Sequence, residues 1–507
     1  MKKTIQSALI SVFNKEGLDP IIHLLGNAGV TFISTGGTQQ YIESLGYSVT
    51  AVESLTGYPA IFGGRVKTLH PAVFGGILYR RGNENDFQEA SRHNIRPVDL
   101  VIVDLYPFEE TLAAGADEQS IIEKIDIGGI SLIRAAAKNY NHVTVVSSRN
   151  QYAYLLEVLQ QTGCAPGLQH RKHLAALAFD VTSHYDTAIF NWLNSTEQVP
   201  SFKKSIQGGR TLRYGENPHQ WGRFYGPLDE IFEQLSGKEL SYNNLVDVDA
   251  ACGLLAEFSA ETAFVIIKHT NACGVAIGSS VKEAYLKALQ ADPVSAFGGI
   301  LATNKPVDVA AAAELNKLFF EILIAPAYSP EALQMLAAKK NRILLIQKKS
   351  LKVTAQFKSL LNGVLEQQAD NHTETEADLK TVTHRTPDAE EVQAMLFAAR
   401  IAKHSKSNTI VLAANGQMLA SGVGQTSRVD ALKQAIEKAR VFGLSLKGAV
   451  MASDAFFPFA DCVQIAHQAG ITAVIQPGGS VRDQESIDFC NTHHMAMVFT
   501  GYRHFRH

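Results

Sequence analysis

Residues 99–105 read Asp-Leu-Val-Ile-Val-Asp-Leu, an apolar, β-branched run between two carboxylates, and this stretch decides the fold class of the first 150 residues. Such a run predicts a strand that is buried on both faces. Similar short runs recur at Ser7–Phe13, Val30–Ser34 and His142–Ser147. Helical spacing fills stretches between them, such as Gly17–Ala28 and Gln39–Leu45. Strands that alternate with helices predict a mainly parallel sheet, covered by helices on both faces.

Further along the chain, two polar stretches suggest domain boundaries. Ser195–Ser205 follows a long helical pattern, contains Pro200 and lacks periodicity. Leu361–Thr383 is polar and charge-rich, and we interpret it as a loop or linker. We therefore predict three domains, residues 1–195, 206–365 and 380–507, of which the last two are α/β regions of similar size.

Composition excludes several classes of protein. Of the 507 residues, 46% are hydrophobic and 19% are charged, which is typical of a globular chain, and the formal net charge of −3 argues against a nucleic-acid binder. No apolar run approaches the ~20 residues of a membrane span, and no signal-peptide pattern follows Met1. Five scattered cysteines without a CxxC motif predict a reducing, cytoplasmic location.

Three loops of the first region suit a phosphate-bearing ligand. Residues 34–38 (STGGT) follow a strand and precede a helix, and residues 11–15 (SVFNK) leave another strand. Residues 63–71 (GGRVKTLHP) add cations and a hydroxyl. Hydroxyls, amides and cations beyond the carboxyl ends of strands bind phosphate. The alternatives are an ordinary glycine turn and a solvated pair of cations.

Other candidate side chains follow these loops further along the chain. Tyr106 ends the 99–105 strand, and Asp126 precedes a helix that carries Lys138. We expect Lys67 and Lys138 to face one nucleotide, because their loops should leave the same edge of the sheet. The simpler alternatives are a helix-capping Asp126 and a rim tyrosine.

The second and third regions carry their own polar motifs. Lys268 and His269 follow the buried strand Ala263–Ile267, which suits a base with a cationic neighbour. His269 and Cys273 are spaced like zinc ligands, but the H-x-E and P-C-x-x-C signatures of zinc deaminases do not occur. The other motifs are residues 213–220 (RYGENPHQ), 422–428 (GVGQTSR), 453–461 (SDAFFPFAD) and the basic, aromatic tail 503–507.

Taken in order, these motifs make the chain resemble the bifunctional enzymes of purine biosynthesis. The likeness covers essentially the full length and rests on STGGT, GGRVKTLHPAVFGGIL, LYPF, IDIGG…LIRAAAKN, LRYGENPHQ, KHTNACG, DPVSAFGG, GVGQTSR and SDAFFPF. The resemblance implies two activities, phosphoribosylaminoimidazolecarboxamide formyltransferase and IMP cyclohydrolase. It implies an N-terminal methylglyoxal-synthase-like parallel-sheet domain followed by two cytidine-deaminase-like α/β subdomains without zinc, in a cytoplasmic homodimer whose transformylase sites lie at the interface.

The resemblance also implies the ligands. The transferase moves a formyl group from 10-formyltetrahydrofolate, a co-substrate, to the amino group of AICAR ribotide. The cyclohydrolase closes the formylated product, FAICAR, to IMP with loss of water. It implies no tightly bound cofactor, no metal, no nucleic acid and no membrane.

Individual residues match functional positions of that family. In the cyclohydrolase, catalytic positions are matched by Lys67, Tyr106, Asp126 and Lys138, the last as proton acceptor, and nucleotide-binding positions by Ser11, Asn14, Lys15, Thr35, Gly36, Gly37, Thr38, Arg65, Thr68 and Asp104. In the transferase, Lys268 and His269 match the catalytic pair. Substrate-binding positions are matched by Arg213, Tyr214, Asn244, Gly298, Asn408, Ser427, Arg428, Phe456 and Arg503, and folate-side positions by Val429, Asp461, Ser480 and Val481.

Three departures from the family pattern stand out. Ala272 replaces a proline, Asp104 stands where relatives usually have Asn, and Glu321 replaces an Asp of animal relatives. An acidic Asp104 adds negative charge near the nucleotide. Two rival hypotheses remain at this stage, a phosphate-ligand sensor that lost its chemistry and a zinc-dependent hydrolase.

Overall fold

The computed structural model describes residues 4–350 and 353–507. The chain divides into two compact units, Met1–Ile206 and Gln207–His507. The helix that ends the first unit runs to Glu197, so it extends into the predicted boundary stretch Ser195–Ser205. Within the described ranges no helix is both long and apolar enough to cross a membrane.

The first unit is built on a parallel sheet with the order β3-β2-β1-β4-β5. Its strands are β1 Ser7–Ser11, β2 Thr31–Ser34, β3 Val49–Ala51, β4 Leu100–Val103 and β5 Thr144–Val146. Its helices are α1 Asp19–Asn27, α2 Gly36–Ser44, α3 Val52–Thr56, α4 Pro71–Leu78, α5 Glu84–Arg92, α6 Phe108–Ala113, α7 Glu118–Ile122, α8 Gly128–Lys138, α9 Tyr152–Thr162 and α10 Leu168–Glu197. Short 3-10 turns lie at Phe62–Gly64 and Arg149–Gln151.

The predicted burial of this sheet on both faces is confirmed. Ile10 and Ile102 belong to one apolar cluster, whereas Leu9 and Val101 belong to another. Successive side chains of a strand point to opposite faces. Each strand therefore contributes to two helical layers, and the loops at the strands' carboxyl ends are left at one edge.

The second unit contains a twelve-stranded mixed sheet with the order β16-β21-β20-β19-β17-β18-β10-β9-β11-β12-β13-β8. The strands of the unit are β6 Gly209–Leu212, β7 Gly222–Tyr225, β8 Phe232–Ser236, β9 Thr262–Lys268, β10 Asn271–Gly278, β11 Ile300–Thr303, β12 Ile322–Ala325, β13 Ile343–Gln347, β14 Ala355–Leu360, β15 Gly363–Gln368, β16 Lys380–Thr381, β17 Ile410–Ala414, β18 Gln417–Gly422, β19 Val450–Ser453, β20 Ala473–Gln476 and β21 Ala496–Phe499. Its helices are α11 Leu228–Ile231, α12 Tyr242–Ala256, α13 Val281–Ala291, α14 Val309–Leu315, α15 Pro330–Ala337, α16 Ala389–Lys403, α17 Arg428–Val441, α18 Asp461–Gln468 and α19 Asp483–Thr492, with a 3-10 turn at Glu376–Asp378.

This unit is internally repeated. Helix α12, hairpin β9-β10, α13, β11, α14, β12, α15 and β13 follow one another in the same order as α16, hairpin β17-β18, α17, β19, α18, β20, α19 and β21. The two halves meet where β10 pairs with β18, so one sheet runs through both. The predicted pair of α/β subdomains is therefore present as two halves of a single compact unit.

The interpretation of Leu361–Thr383 as a loop or linker is only partly right. The stretch contains β15, which pairs with β14, and β16, which pairs with β21. Glu374 within it is buried. The polar composition led to the wrong interpretation because a buried polar group such as Glu374 is paired with a partner far along the chain, His504.

Candidate active sites

The first candidate site lies at the carboxyl ends of β1, β2 and β4, where three predicted loops come together. The hydroxyls of Ser11 and Thr35 are 3.3 Å apart. The Thr38 hydroxyl accepts from the Val12 amide at 3.1 Å and donates to the Val12 carbonyl at 2.9 Å. These contacts hold the 11–15 loop against the first turn of α2.

The start of α2 offers a place for an anion. The helix begins at Gly36, three residues earlier than the sequence predicted, so the glycines form its first turn. Its N-cap residue, Thr35, makes no side-chain cap hydrogen bond, and a Cβ on Gly37 would lie 3.9 Å from Lys15 Nζ. An uncapped helix N-terminus beside an ammonium group suits a phosphate.

Asp104 ties β4 to the 11–15 loop. Its carboxylate accepts from the backbone amides of Phe13 and Asn14, the latter at 2.9 Å. Burial raises the pKa of Asp104, although these amides and the charge of Lys15 oppose the shift. Asp104 thus shapes the loop through both carboxylate oxygens, which the sequence had not indicated.

Tyr106 and Asp126 adjoin one another at the end of β4. Asp126 accepts from Gly129 N at 2.6 Å and so caps α8, and its carboxylate also faces the backbone amide of Tyr106. Burial raises the pKa of Asp126, although these backbone hydrogen bonds oppose the shift. Burial likewise raises the pKa of Tyr106, and the charges of Asp126 and Asp104 add to the shift. The pair combines a carboxylate of raised basicity with a phenol that stays protonated.

Residues 65–68 reach the same edge. A Cβ on Gly128 would lie 3.0 Å from Thr68 Oγ1, which places this loop against the first turn of α8. Arg65 forms an exposed ion pair with Glu123. Lys67 lies between Arg65 and Thr68 and is half-buried. The loop therefore brings a cation close to the Asp126 end of α8.

Lys138 does not join this cluster, and the prediction that it faces one nucleotide with Lys67 is wrong. Asp126 precedes the first residue of α8, whereas Lys138 is the last. A rise of 1.5 Å per residue separates the two ends by about 15 Å. Because α8 leads into the start of β5, Lys138 lies at the opposite edge of the sheet, in a groove with Arg134 and Phe179.

Two side chains of this site were not predicted. The Tyr185 hydroxyl accepts from the Asp126 amide at 2.9 Å and donates to the Lys124 carbonyl. Lys124 Nζ lies 5.7 Å from the centre of the Phe13 ring and 6.0 Å from that of Tyr106. Tyr185 lies within a long helical pattern, and nothing local in the sequence marks it.

In the second unit, Lys268 ends β9 and His269 begins a strained hairpin turn. The loop between β9 and β10 consists of His269 and Thr270, with φ of 51° and 65°. Tight turns of this kind favour Asn-Gly, and the left-handed region costs other residues about 1–2 kcal/mol each. His269 is exposed, so packing does not require this strained backbone. Such strain indicates a functional constraint. Strand β9 runs one residue beyond the predicted Ala263–Ile267 and so includes Lys268, and β10 begins at Asn271.

Asp247 stabilises the turn and was missed from the sequence. Its carboxylate accepts from Thr270 N at 2.7 Å. Burial raises the pKa of Asp247, while the Thr270 amide and the charge of His269 oppose the shift. One signal was available, since Asp247 lies three residues after Asn244 and therefore on the same helix face.

Lys268 is held by the loop before β11. Its ammonium donates to the Phe297 carbonyl at 2.9 Å. Gly298 has a φ of 70°, and a Cβ there would lie 3.1 Å from Lys268 Nζ. Nearby, Asn244 Nδ2 donates to Glu321 at 3.0 Å, and Lys238 pairs with the same carboxylate at 3.5 Å. Glu321 thus has a defined place beside Asn244.

Replacing Gly298 by alanine tests this packing. The resemblance implies that Lys268 acts in formyl transfer, so we expect this activity to fall roughly 10- to 100-fold, less than the ~10²–10³-fold loss of a full oxyanion donor, because the new methyl group displaces the Lys268 ammonium. Gly443→Ala is the matched control, since Gly443 also has a φ of 70° but nothing lies within 4 Å of its added Cβ. Steady-state rates and thermal unfolding of both variants separate the two effects. Equal losses of formyl transfer in both variants would show that the contact with Lys268 is not the cause of the loss.

A second cluster surrounds Asp454. Arg428 Nη2 lies 2.9 Å from Asp454 Oδ1, and both groups are buried. Ser407 Oγ donates to the other carboxylate oxygen at 2.6 Å. Asn408 donates to the Gln425 carbonyl at 3.0 Å, and Ser427 caps α17. Arg428 is therefore paired with the Asp454 carboxylate. The sequence placed Asp454 in the motif 453–461 but did not indicate this pairing.

The Asn271 side chain joins the two clusters. Its Nδ2 donates to the His269 carbonyl at 2.9 Å, and its Oδ1 accepts from Lys406 N at 3.0 Å. Cys273 is buried and its thiol lies 3.4 Å from the Ile266 carbonyl. The His269 turn is thus bonded to the 406–408 loop, while Cys273 points to the neighbouring strand.

The remaining predicted residues lie around these clusters. Tyr214 accepts from Arg213 Nη2 at 3.3 Å, and the same loop contacts the start of α12 through Glu216 and Asn243. The residues matched to folate positions lie on separate elements, Val429 in α17, Asp461 at the start of α18, and Ser480 and Val481 before α19. Phe456 is half-buried in the loop after β19, and Arg503 is exposed in the tail.

Two family models match the chain. One, described as an MGS-like domain, matches residues 17–131, and the other, described as AICARFT/IMPCHase bienzyme, matches residues 136–438. Relatives named bifunctional purine biosynthesis protein PurH align over nearly the whole length. That of Bacteroides thetaiotaomicron is 60% identical over 100% of this chain and 99% of its own, and that of Aquifex aeolicus is 49% identical over 99% and 100%. That of Acetivibrio thermocellus is 46% identical, again over 99% and 100%.

Fold and sites together define a two-unit α/β enzyme with a parallel-sheet unit and a doubled mixed-sheet unit. With these matches, the chain belongs to the AICARFT/IMPCHase bienzyme family. It is a bifunctional enzyme of purine biosynthesis, a formyltransferase and IMP cyclohydrolase, and the predicted family and fold class are confirmed. The matches give no support to the sensor or the zinc hydrolase.

Proposed function

We propose that the first unit closes the purine ring and that the second transfers the formyl group. The observation that carries this division is that each unit has its own cluster of polar side chains at strand ends. One contains Asp126 and Tyr106 close to a helix start that suits an anion, and the other contains Lys268 at the end of β9 and His269 in the strained turn that follows. The substrates are AICAR ribotide, 10-formyltetrahydrofolate and FAICAR.

For ring closure, the phosphate of FAICAR binds at the start of α2 beside Lys15. The carboxamide nitrogen then attacks the formyl carbon. Asp126 accepts the proton that this nitrogen loses, and the formyl oxygen gains a proton from Tyr106 or Lys67. A carboxylate whose pKa is raised by burial is a stronger base than an ordinary one, which suits this role.

Dehydration follows at the same groups. The new hydroxyl leaves as water with the proton held by Asp126. The proton of the former formamide nitrogen returns to the group that protonated the oxygen. Two protons are taken and two are given back, so the enzyme regenerates itself and one water is lost. No step is assigned to Lys138, because it lies at the other end of α8.

For formyl transfer, the amino group of AICAR ribotide attacks the formyl carbon of the folate. His269 removes the amine proton, and the Lys268 ammonium stabilises the oxyanion of the tetrahedral intermediate. The bond to the folate nitrogen then breaks, and His269 returns the proton to that nitrogen. The exposed imidazole in its fixed turn supports this role, because the backbone there has little freedom to move it.

The folate is a co-substrate rather than a resident cofactor, and Val429, Asp461, Ser480 and Val481 are the residues we assign to it. We further propose a cytoplasmic homodimer with transferase sites at the interface. The free state of all five cysteines supports a reducing location. Arg213 and Arg503 are the cations that we assign to the ribotide phosphate.

The decisive experiment supplies the protein with AICAR ribotide and 10-formyltetrahydrofolate and follows IMP. A chain ending at Ile206 should convert FAICAR to IMP without folate, since the first unit is compact by itself. The rate must exceed the spontaneous cyclisation in a blank. A folded fragment that does not exceed the blank would overturn the assignment of ring closure to the first unit.

A further inference from the structure

The tail of the chain is docked by a buried histidine. His504 is 5% exposed, and its imidazole lies between two carboxylates. Nδ1 is 2.6 Å from Asp370 Oδ2, and Nε2 is 2.9 Å from Glu374 Oε1. Glu374 is itself only 3% exposed. The segment after β15 therefore holds the tail through His504, and His372 of the same segment stacks on Tyr502.

The geometry requires the charged form of the imidazole. A neutral imidazole has one N–H and one lone pair, so it would turn that lone pair toward a carboxylate. Burial opposes the charge, but the hydrogen bonds and charges of Glu374 and Asp370 outweigh it and raise the pKa of His504. The doubly protonated ring donates to both carboxylates at once.

The docked tail adjoins the Asp454 cluster. His504 N donates to the Asp454 carbonyl at 3.0 Å, and Arg506 N donates to Ser407 Oγ at 3.0 Å. Arg503, the residue before His504, stacks its guanidinium 4.5 Å from the centre of the Phe505 ring. Arg503 makes no ion pair with a carboxylate within the described part of the chain. Arg428 lies 5.8 Å from the centre of the same Phe505 ring, so Arg503 presents a second cation on the side of the Asp454 cluster.

We propose that His504 is a positioning residue, whose imidazolium holds the tail so that Arg503 meets the phosphate of AICAR ribotide. The inference rests on the proposed function, in which Arg503 binds that phosphate. Phe505, the aromatic residue of the tail, is 41% exposed and is therefore a poor anchor for it. The buried His504 takes that role instead.

The charged groups around His504 come from every element packed on the tail. They are Asp370, His372 and Glu374 after β15, Asp454 after β19, Arg428 in α17, Lys403 and His404 at the end of α16, Glu257 after α12, and Arg503 and Arg506 in the tail. Lys403 pairs with Glu257 and Arg428 with Asp454. Among the described residues, Asp370 and Glu374 are therefore the carboxylates that balance the charge of His504.

The direction of the pH effect follows from the raised pKa. A histidine whose pKa is higher in the folded than in the unfolded protein stabilises docking fully below about pH 6.5. The contribution is lost as pH rises through the higher folded value. The KM for AICAR ribotide should therefore be lowest at acidic pH and rise toward alkaline pH.

The test measures KM and kcat for AICAR ribotide in formyl transfer across this pH range, at saturating folate. We expect His504→Gln to raise KM roughly tenfold at low pH, to leave kcat less affected and to remove the pH-dependent rise. Asp370→Asn, at a half-exposed position, should move the rise in KM to lower pH because one carboxylate is lost. Asp308→Asn is the matched control, since that exposed carboxylate accepts from Ala311 N and caps α14.

Arg503→Ala separates this proposal from the one it rests on. If Arg503→Ala raises KM while His504→Gln and Asp370→Asn leave KM and its pH dependence unchanged, the positioning role is overturned and the proposed function stands. If Arg503→Ala leaves KM unchanged, Arg503 does not bind the phosphate, and both assignments fail. A purely structural histidine would lower stability without moving the pH profile of KM in Asp370→Asn.

Discussion

Replacing His269 by alanine should lower formyl transfer by roughly 10²–10⁴-fold, the usual contribution of a positioned general base. The imidazole is exposed at a two-residue turn whose backbone is fixed by the Asp247 carboxylate. Alanine removes the base but leaves that hydrogen bond in place. Binding of AICAR ribotide should persist, because Arg213 and Arg503 are assigned to its phosphate.

Single-turnover transfer at saturating folate, followed across pH, is the measurement. His219→Ala, at an exposed position of another loop in the same unit, is a control for loss of an imidazole. Near-normal transfer by His269→Ala, or a change in ribotide affinity alone, would make His269 a binding residue.

Much of this turn was beyond the reach of sequence analysis. The strand Ala263–Ile267 was predicted from its apolar run, and its position is confirmed as part of β9. The hairpin that follows was not predicted, since His-Thr is an unfavourable pair for a tight turn. Long-range contacts such as that of Asp247 to Thr270 decide the geometry, and no local pattern encodes them.

The error over Lys138 has a different origin. The sequence correctly placed Asp126 before a helix and Lys138 on it. The sequence did not show which end of the helix faces the ligand. The strand order and the direction of the crossover connection decide this, and neither can be inferred from a local pattern. Conversely, the loops 11–15 and 34–38 were predicted to converge because parallel strands end at one edge, and the contact of Ser11 with Thr35 shows that they do.

Asp126→Asn should lower cyclisation by roughly 10²–10⁴-fold, since it removes the proposed proton acceptor. Asparagine keeps an oxygen that accepts from Gly129 N, so the cap of α8 is retained. In the full reaction, formyl transfer should continue and FAICAR should accumulate. Asp117→Asn is the matched control, because Asp117 caps the neighbouring helix α7 at an exposed position.

The pH profile distinguishes a base from a structural cap. Because burial raises the pKa of Asp126, the wild-type cyclisation rate should fall as pH drops through that raised value, where the carboxylate becomes protonated. Asp126→Asn should lack this acidic limb, and Tyr106→Phe should keep it at a lower overall rate. If Asp126→Asn cyclises FAICAR at the wild-type rate after subtraction of the spontaneous reaction, the proton acceptor is another group. If both variants lose activity but keep the limb, Asp126 acts only through the capped helix.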